Sequence, residues 1–130
     1  MTTVPNTFLF AETHEWADAK PDGLVWVGIS DHAQAALGDV VFLEPPKLNS
    51  SVQQGLACAV IESVKAASDI HAPVSGTVVE INSELLDAPE LINEHPYSAW
   101  IFKIQPNNAE ALSSDLQRLS QFIDYQSSLN

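Results

Sequence analysis

The sequence predicts a mainly β fold, a small barrel or sandwich, with a short helix after the second predicted strand and another helix near the C-terminus. Valine, isoleucine and aromatic residues come in short runs, which favour strands over helices. Glycine, proline, asparagine and aspartate separate these runs at intervals of roughly 8 to 15 residues, as in small all-β domains. With 130 residues, 45% of them apolar, the chain has the size and composition of one domain with one core. We therefore expect residues 1–130 to form a single domain.

The predicted strands follow from the apolar runs in chain order. They are "TFLF" (7–10), "LVWVGI" (24–29), "VVFLE" (40–44), "ACAVIESV" (57–64), "GTVVEIN" (76–82) and "WIFKI" (100–104). Two stretches, "GDVVFLE" from Gly38 and "GTVVEIN" from Gly76, share a pattern of glycine, any residue, two valines, any residue and then Leu or Ile. Two similar β units on either side of residues 62–69 are consistent with a barrel of approximate two-fold symmetry.

Two stretches have the periodicity and end signals of helices. Ser30 precedes "DHAQAAL" and Gly38 follows it, which predicts a two-turn helix with an N-cap and a glycine stop. Near the C-terminus, "SSDLQRLSQFIDYQ" predicts a helix over about 113–126, capped by Ser113 or Ser114. We expect its apolar stripe to be a lid over the barrel. The stripe consists of Leu116, Leu119, Phe122 and Ile123.

The charge balance excludes several classes of partner. Five Lys and Arg residues stand against 17 Asp and Glu residues, for a formal net charge of −12 at pH 7. Such a charge repels phosphate backbones and anionic membranes, so we expect no nucleic-acid or membrane partner and favour basic protein surfaces. No run of about 18 apolar residues is present, and no signal or transit segment is visible, so we expect a bacterial-type cytoplasmic protein. The single cysteine, Cys58, excludes an intramolecular disulfide and fits a reducing compartment.

Lys65 stands out in so acidic a chain because of its position. The strand "AVIESV" precedes it, and "DIHAPVSG" resumes an extended chain after it until Pro73 and Gly76 turn the backbone. Val64, Lys65 and Ala66 are therefore predicted to form the tip of a tight hairpin, where small neighbours leave the ammonium group accessible. Residue type alone favours a solvated charge at such a tip, so the interpretation of Lys65 depends on the sequence around it.

An enzymatic interpretation would use Cys58 as a nucleophile with one of the histidines as its base. Cys58 lies in an apolar strand, where a packed thiol is the more common role. The histidines show no close ligand or base spacing, so the sequence predicts neither a catalytic pair nor a metal site. They are His14, His32, His71 and His95.

The segment around Lys65 is similar to the lipoylation segment of glycine cleavage system H proteins. The similarity is carried by "ESVKAASDIHAPVSGTVVEIN" (62–82), and further stretches stand in the order and nearly the spacing of that family. These are "HEW" (14–16), "VGISDHAQAALGDVVFLEPP" (27–46), and "PELIN" with "PY" (89–97). The resemblance covers most of the chain and implies the barrel-sandwich hybrid fold of lipoyl and biotinyl carriers. It also implies that Lys65 carries lipoate in amide linkage.

The resemblance implies a carrier of glycine catabolism and one-carbon metabolism that is not itself an enzyme. In the family's cycle, a pyridoxal-phosphate glycine decarboxylase places an aminomethyl group on the lipoyl arm, and a tetrahydrofolate-dependent aminomethyltransferase removes it. A flavin dihydrolipoamide dehydrogenase reoxidises the dithiol, and a lipoate-attaching enzyme modifies Lys65. A pocket for the loaded arm is also implied, in which Glu15 and Asp69 hold the amine and Thr13 and His32 lie near the same cleft. Excluding water there would slow the loss of ammonia and formaldehyde.

The sequence departs from the family pattern in places and leaves alternatives open. His71 stands where the family usually has tyrosine, and "PYSAW" (96–100) is shorter than the usual loop and lacks its glycines. Biotin carriers place their lysine between methionines, and lipoyl domains of 2-oxoacid dehydrogenases usually show Asp-Lys-Ala, so Val64 disfavours both. The remaining alternative is an H-like protein that is not lipoylated, or that relays lipoate, and acts as an interaction module.

Overall fold

The computed structural model describes residues 3–129, and within them the chain is mainly β, as predicted. The strands are β1 (Phe8–Phe10), β2 (Glu15–Ala19), β3 (Val25–Ile29), β4 (Val40–Glu44), β5 (Ser51–Val52), β6 (Ala57–Ser63), β7 (Ala67–His71), β8 (Gly76–Ile81), β9 (Phe102–Gln105) and β10 (Ser120–Gln121). The helices are α1 (Asp31–Leu37), α2 (Glu84–Asp87), α3 (Leu91–Glu94), α4 (Ala109–Leu116) and α5 (Phe122–Ser128).

The strands form two antiparallel sheets rather than a closed barrel. The larger sheet has the order β10-β1-β2-β3-β9-β8-β5, and the smaller has the order β4-β6-β7. One cluster of buried apolar residues includes Val27 and Ile104 from the larger sheet and Leu43 and Ile61 from the smaller. Removing such side chains from water is the main favourable term in folding. Two open sheets around a shared core form the barrel-sandwich hybrid that the resemblance implied.

Strand β2 was not among the predicted strands, so helix α1 follows the third strand of the chain and the second predicted one. Its sequence, "EWADA", contains two acids, Glu15 and Asp18, which are both buried. Asp18 forms an ion pair with Lys20 at 2.9 Å. Trp16 pairs with Gly28 of β3, where an added Cβ would lie 2.4 Å from the indole ring, so only glycine fits. Burying an acid is costly unless it has a partner, so a strand with two buried acids forms here because tertiary partners are available, which the composition does not reveal.

Helix α1 has the ends that the sequence predicted. Ser30 is extended, and its Oγ accepts a hydrogen bond from Ala33 N at 3.1 Å, as an N-cap does. Gly38 has φ of 87° and donates its backbone N–H to Gln34 O at 3.0 Å. A left-handed residue at this position favours glycine and ends the helix beside the β6–β7 hairpin.

A helix near the C-terminus is present, but its residues lie in two segments, α4 and α5. Asn108, rather than Ser113 or Ser114, caps α4, because its side chain accepts a hydrogen bond from Ala111 N at 2.7 Å. The helical region therefore begins earlier than predicted.

Strand β10 lies between α4 and α5 and pairs with β1, so the predicted single helix is divided into two. The edge of β1 offers unpaired backbone groups, and these compete with continuation of the helix. Leu116 and Leu119 pack against the main core, as the lid interpretation expected, and Phe122 packs against a second, aromatic cluster. Ile123 is 70% exposed, so the predicted stripe does not lie on one buried face.

The two stretches with a shared valine pattern form β4 and β8, which lie in different sheets. Between them in sequence lies the β6–β7 hairpin with Lys65 at its tip.

Within residues 3–129, every helix is too short or too polar to cross a membrane.

Candidate functional site

The turn between β6 and β7 is held in a defined shape by its own hydrogen bonds. Strand pairing ends at Glu62 and Ala67, and Ser63 N donates to Ala66 O at 2.7 Å. Ser63 Oγ accepts from Lys65 N at 3.2 Å and from Ala66 N at 3.1 Å. The predicted hairpin tip is confirmed, and one serine side chain organises it.

Lys65 is exposed, and its methylene chain lies against the C-terminal end of α1. A Cβ added to Gly38 would be 3.3 Å from Lys65 Cε, so the glycine leaves room for the lysine side chain. Within residues 3–129, no carboxylate lies at ion-pairing distance from Lys65. Val64, which is 70% exposed, donates its backbone N–H to Asp39 O at 3.0 Å. The backbone of the tip is thus anchored while the lysine side chain is not.

A cleft of about 340 Å³ lies beside this tip. Its lining comes from the loop before β2, from helix α1, and from the β6–β7 hairpin, with Ile29, Leu37, Ile61 and Ile70 among the apolar members. All four residues that the resemblance assigned to an arm pocket line this one cleft. They are Thr13, Glu15, His32 and Asp69.

Glu15 is almost fully buried, with 1% of its surface exposed. Thr13 Oγ1 donates to one carboxylate oxygen, and His71 N donates to the other at 2.8 Å. The ring Nδ1 of His71 lies 3.3 Å from that second oxygen. Burial raises the pKa of Glu15, and the hydrogen bonds from His71 and Thr13 oppose that rise only in part. Because a carboxylate has about four acceptor positions, Glu15 keeps capacity for a further donor.

Asp69 and His32 lie at the exposed rim of the cleft. Asp69 pairs with Val60 across the hairpin and also borders a second hollow, which Glu44 shares. It borders both hollows because β7 is an edge strand of the smaller sheet. The ring centroid of His32 is 4.9 Å from that of His14. The rim therefore combines an acid with two neighbouring imidazoles.

The structure adds His14, His71 and Tyr125 to the site, none of which the sequence placed there. Eighteen positions separate His14 from His32 in the chain, so their spacing gave no sign that the two rings meet in the fold. His14 Nδ1 lies 2.7 Å from Tyr125 Oη, and the pKa of His14 is lowered by burial and then by the charge of His32. His14 lies between Thr13 and Glu15 in sequence, which is the one signal that pointed to it.

Cys58 is half-buried in β6 and packs against the main core. Burial, and to a smaller extent the charge of Glu15, raises the pKa of its thiol to about 12. A thiol with that pKa is almost wholly protonated at neutral pH and is a poor nucleophile, in agreement with the packed-thiol interpretation. In the part of the chain that the structure describes, residues 3–129, no three His, Cys, Asp or Glu side chains are arranged to hold a metal ion.

Comparisons with known proteins agree on one family. Residues 8–128 match the family model for the glycine cleavage H-protein. The chain is 53% identical over 129 residues to glycine cleavage system H protein 2 of Pseudomonas syringae pv. tomato, covering 99% of this chain and 98% of that protein. It is 68% identical over 99 residues to the glycine cleavage system H protein of Polynucleobacter necessarius subsp. necessarius, covering 76% of this chain and 66% of that one.

A solved structure gives the same result in three dimensions. The crystal structure of a glycine cleavage system H protein from Mycobacterium marinum matches with a TM-score of 0.85 at 35% identity, covering 97% of this chain and 98% of that chain. The family model spans the hairpin, helix α1 and both C-terminal helices, and so includes every element of the site. This chain belongs to the glycine cleavage H-protein family.

Proposed function

We propose that the chain is a lipoylated carrier of the glycine cleavage system. It moves the aminomethyl group of glycine from a decarboxylase to an aminomethyltransferase on lipoyl-Lys65. The observation that carries this proposal is the position of Lys65, on an exposed hairpin tip beside a cleft with an apolar lining and a carboxylate at its rim. An exposed tip is accessible to separate enzymes, and the adjacent cleft offers the arm a place to rest between them.

The other lysines support the choice of Lys65. Lys20 and Lys103 are each ion-paired, and each lies over the ring of Trp26, with Nζ 4.6 Å and 4.1 Å from its centroid. Within residues 3–129, Lys47 and Lys65 have no such ion pair. Lys47 is exposed but does not border the cleft, so it serves as a matched comparison.

The residues around Lys65 fit a lipoyl arm. Joining the lipoate carboxyl group to Lys65 Nζ as an amide, with loss of water, removes the lysine charge, so the arm meets no desolvation cost of an ammonium group. The alanines of α1 and of the hairpin, with Leu37 and Ile61, then offer an apolar wall. When bound, the dithiolane supplies the sulfur that accepts the aminomethyl group and the redox chemistry of the cycle.

The acids of the cleft fit the amine of the cargo. Glu15 has an acceptor position left beyond those used by Thr13 and His71, and Asp69 lies at the rim. A protonated amine between two carboxylates forms charge-assisted hydrogen bonds, and the cleft limits the access of water. Thr13 orients Glu15, and His32 closes the rim beside it. Together these residues slow the loss of ammonia and formaldehyde from the loaded arm.

The proposal assigns partners and a location. The chain itself is not a catalyst, and it is served by a pyridoxal-phosphate glycine decarboxylase, a tetrahydrofolate-dependent aminomethyltransferase, a dihydrolipoamide dehydrogenase and a lipoate-attaching enzyme. The bacterial relatives and the single, packed Cys58 support a cytoplasmic location for this cycle.

The test is the mass of the protein isolated from its own cells, followed by peptide mapping. We expect lipoate on Lys65 in the wild type and in Lys47→Arg, and none in Lys65→Arg. Arginine keeps the positive charge and about the length of the lysine side chain, but its guanidinium group does not form the amide with lipoate. Lipoate on another lysine, or a lipoylated Lys65→Arg protein, would disprove the assignment. A wild-type chain that stays unmodified would favour the interaction-module alternative.

A further inference from the structure

The hydroxyl group of Tyr125 joins the C-terminal helix α5 to the cleft. Tyr125 is 3% exposed, and its ring is stacked on Phe10 with the centroids 4.6 Å apart and an interplanar angle of 12°. Its Oη lies 2.7 Å from His14 Nδ1 and 2.7 Å from Ser30 Oγ. Burial raises the pKa of Tyr125, so its phenol stays protonated at neutral pH and is able to donate a hydrogen bond.

Counting donors and acceptors assigns one direction to the hydrogen bonds of this group. Ser30 is fully buried, and its Oγ accepts from Ala33 N at 3.1 Å. Within residues 3–129, the other partner of Ser30 Oγ is Tyr125 Oη. A buried hydroxyl proton needs an acceptor, so we infer that Ser30 donates to Tyr125. With Ser30 as the donor to Tyr125, the Tyr125 proton is free to go to His14 Nδ1, and we infer that Nδ1 is the unprotonated nitrogen of a neutral ring.

Both ends of this hydrogen-bond chain support the lining of the cleft. Ser30 is the N-cap of α1, the helix that contributes His32 to the cleft. His14 lies between Thr13 and Glu15, all of which line the cleft, and has φ of 82°, a left-handed conformation that is unfavourable for residues other than glycine. Its carbonyl accepts a hydrogen bond from Ser30 N at 2.9 Å. The network thus holds a strained residue and a helix start together.

We propose that Tyr125 is a positioning residue for the loaded arm. By holding the His14 ring and the start of α1, it fixes the surface against which the arm folds. The inference rests on the proposed carrier function, but part of its test needs no lipoate. It gives helix α5, which contributes no residue to the lining of the cleft, a role in how long the cargo is retained.

The first measurement is a titration of the His14 ring by NMR in the unlipoylated protein. Tyr125→Phe removes only the hydroxyl group and keeps the stack on Phe10. Loss of a donor to Nδ1 should raise the pKa of His14, since that bond favours the neutral ring. His32, Glu15 and Asp69 also face this part of the cleft and are unchanged in the variant.

Tyr97→Phe is the matched control for the titration. Tyr97 Oη accepts a hydrogen bond from Asp31 N at 3.0 Å, at the start of the same helix, so the control also loses one tyrosine hydroxyl near α1. It leaves the bond between Tyr125 and His14 intact. We expect the His14 titration to be unchanged in Tyr97→Phe.

The second measurement is the rate of formaldehyde release from the loaded protein after the decarboxylase is removed. We expect release from Tyr125→Phe to be about 3- to 10-fold faster than from wild type, the factor that one hydrogen bond supplies. The rate of lipoylation should not change, because the hairpin tip has separate hydrogen bonds. If the pKa of His14 is the same in Tyr125→Phe as in the wild type, or if formaldehyde release is no faster, the inference is wrong and the carrier proposal is unaffected. A wild-type chain that takes up no lipoate would overturn the carrier proposal and this inference with it.

Discussion

At the scale of single residues, Glu15 combines a role in the cleft with a burden on stability. It is a buried acid in the wall of a cleft with both apolar and polar lining, and its pKa lies above the ordinary value of 4.5 because burial outweighs its hydrogen bonds. A raised pKa means that the folded state favours the protonated form. The ionised form is therefore less favourable in the fold than the protonated form, and the proposed function gives a reason for an acid to be retained here.

We expect Glu15→Gln to raise the free energy of unfolding at pH 7. Glutamine is nearly isosteric, with Oε1 placed to accept from His71 N and Nε2 placed to donate to Thr13 Oγ1. The burden of the ionised glutamate is absent below its unfolded pKa and appears as the pH rises through the higher folded pKa. Urea unfolding should therefore show a larger advantage for the variant at pH 7 than at pH 4. An equal difference at both values would contradict the burial argument.

The same Glu15→Gln protein should hold its cargo less well. Loss of a charge-assisted hydrogen bond to the amine should speed formaldehyde release by about tenfold, and Asp69→Asn should act in the same direction. The release rate after removal of the decarboxylase measures both. Equal rates in the wild type and both variants would show that neither acid holds the amine.

The residues of the site differ in how far sequence could reveal them. Lys65 and Asp69 lie in a long stretch that resembles one family, and Glu15 lies in the short "HEW" stretch, so the resemblance alone is enough to propose all three. Tyr125 reaches His14 across 111 positions of the chain, and no local pattern indicates such a contact. His71 was visible only as a departure, and its backbone N–H to Glu15 depends on the pairing of β7 with β6.

At the scale of elements, the β6–β7 hairpin depends on Ser63 for the shape of its tip. The Ser63 hydroxyl oxygen accepts from two backbone amides, Lys65 N and Ala66 N. Under the proposed function, the enzyme that attaches lipoate has to distinguish Lys65 from Lys47, which is also exposed, and the shape of this turn offers that distinction. If it is the recognition element, its geometry depends on the Ser63 side chain.

We expect Ser63→Ala to lower kcat/KM for lipoylation by about 3- to 10-fold, since a lost side-chain hydrogen bond weakens the turn by about 1 kcal/mol. Ser68→Ala is the control, because Ser68 is exposed on β7 and its hydroxyl makes only a 3.4 Å contact with Asp69 O. In vitro lipoylation of both variants at equal concentrations measures the effect. Equal rates for Ser63→Ala and wild type would show that the turn need not be held by Ser63.

Elements were predictable where local signals and tertiary contacts agree. Helix α1 has its cap and its stop in sequence, and both are used. Strand β2 was missed because its buried acids depend on partners that composition does not reveal. The sequence predicts one helix through residues 120 and 121 because the apolar spacing continues there. In the structure, Ser120 and Gln121 instead form strand β10 by pairing with the edge of β1.

At the scale of the whole molecule, the charge of −12 should affect encounters with partner enzymes. If acidity guides the carrier to basic surfaces, the KM for the carrier in the decarboxylase reaction should rise with salt between about 20 and 300 mM. Exposed charges are screened beyond roughly 8 Å at physiological ionic strength. A KM that is independent of salt would reduce the acidity to a role in solubility.

Two single-charge variants show where on the surface this effect arises. Glu62 is exposed on the hairpin beside the tip, whereas Glu110 is exposed on α4, away from the cleft lining. Glu62→Gln should raise the KM and flatten its salt dependence, and Glu110→Gln should change neither. Similar effects in both would point to net charge rather than to docking at the hairpin.

The hairpin tip also bears on the order of events in the cell. Val64, Lys65 and Ala66 are all exposed and belong to neither apolar cluster, so the fold is complete without anything attached to them. We therefore expect newly made protein to be folded before any modification, so that it resists proteases in the unmodified form. If Lys65 is lipoylated as proposed, a reserve of unmodified carrier can persist through a shortage of lipoate and be brought into use, without new synthesis, once the cofactor returns.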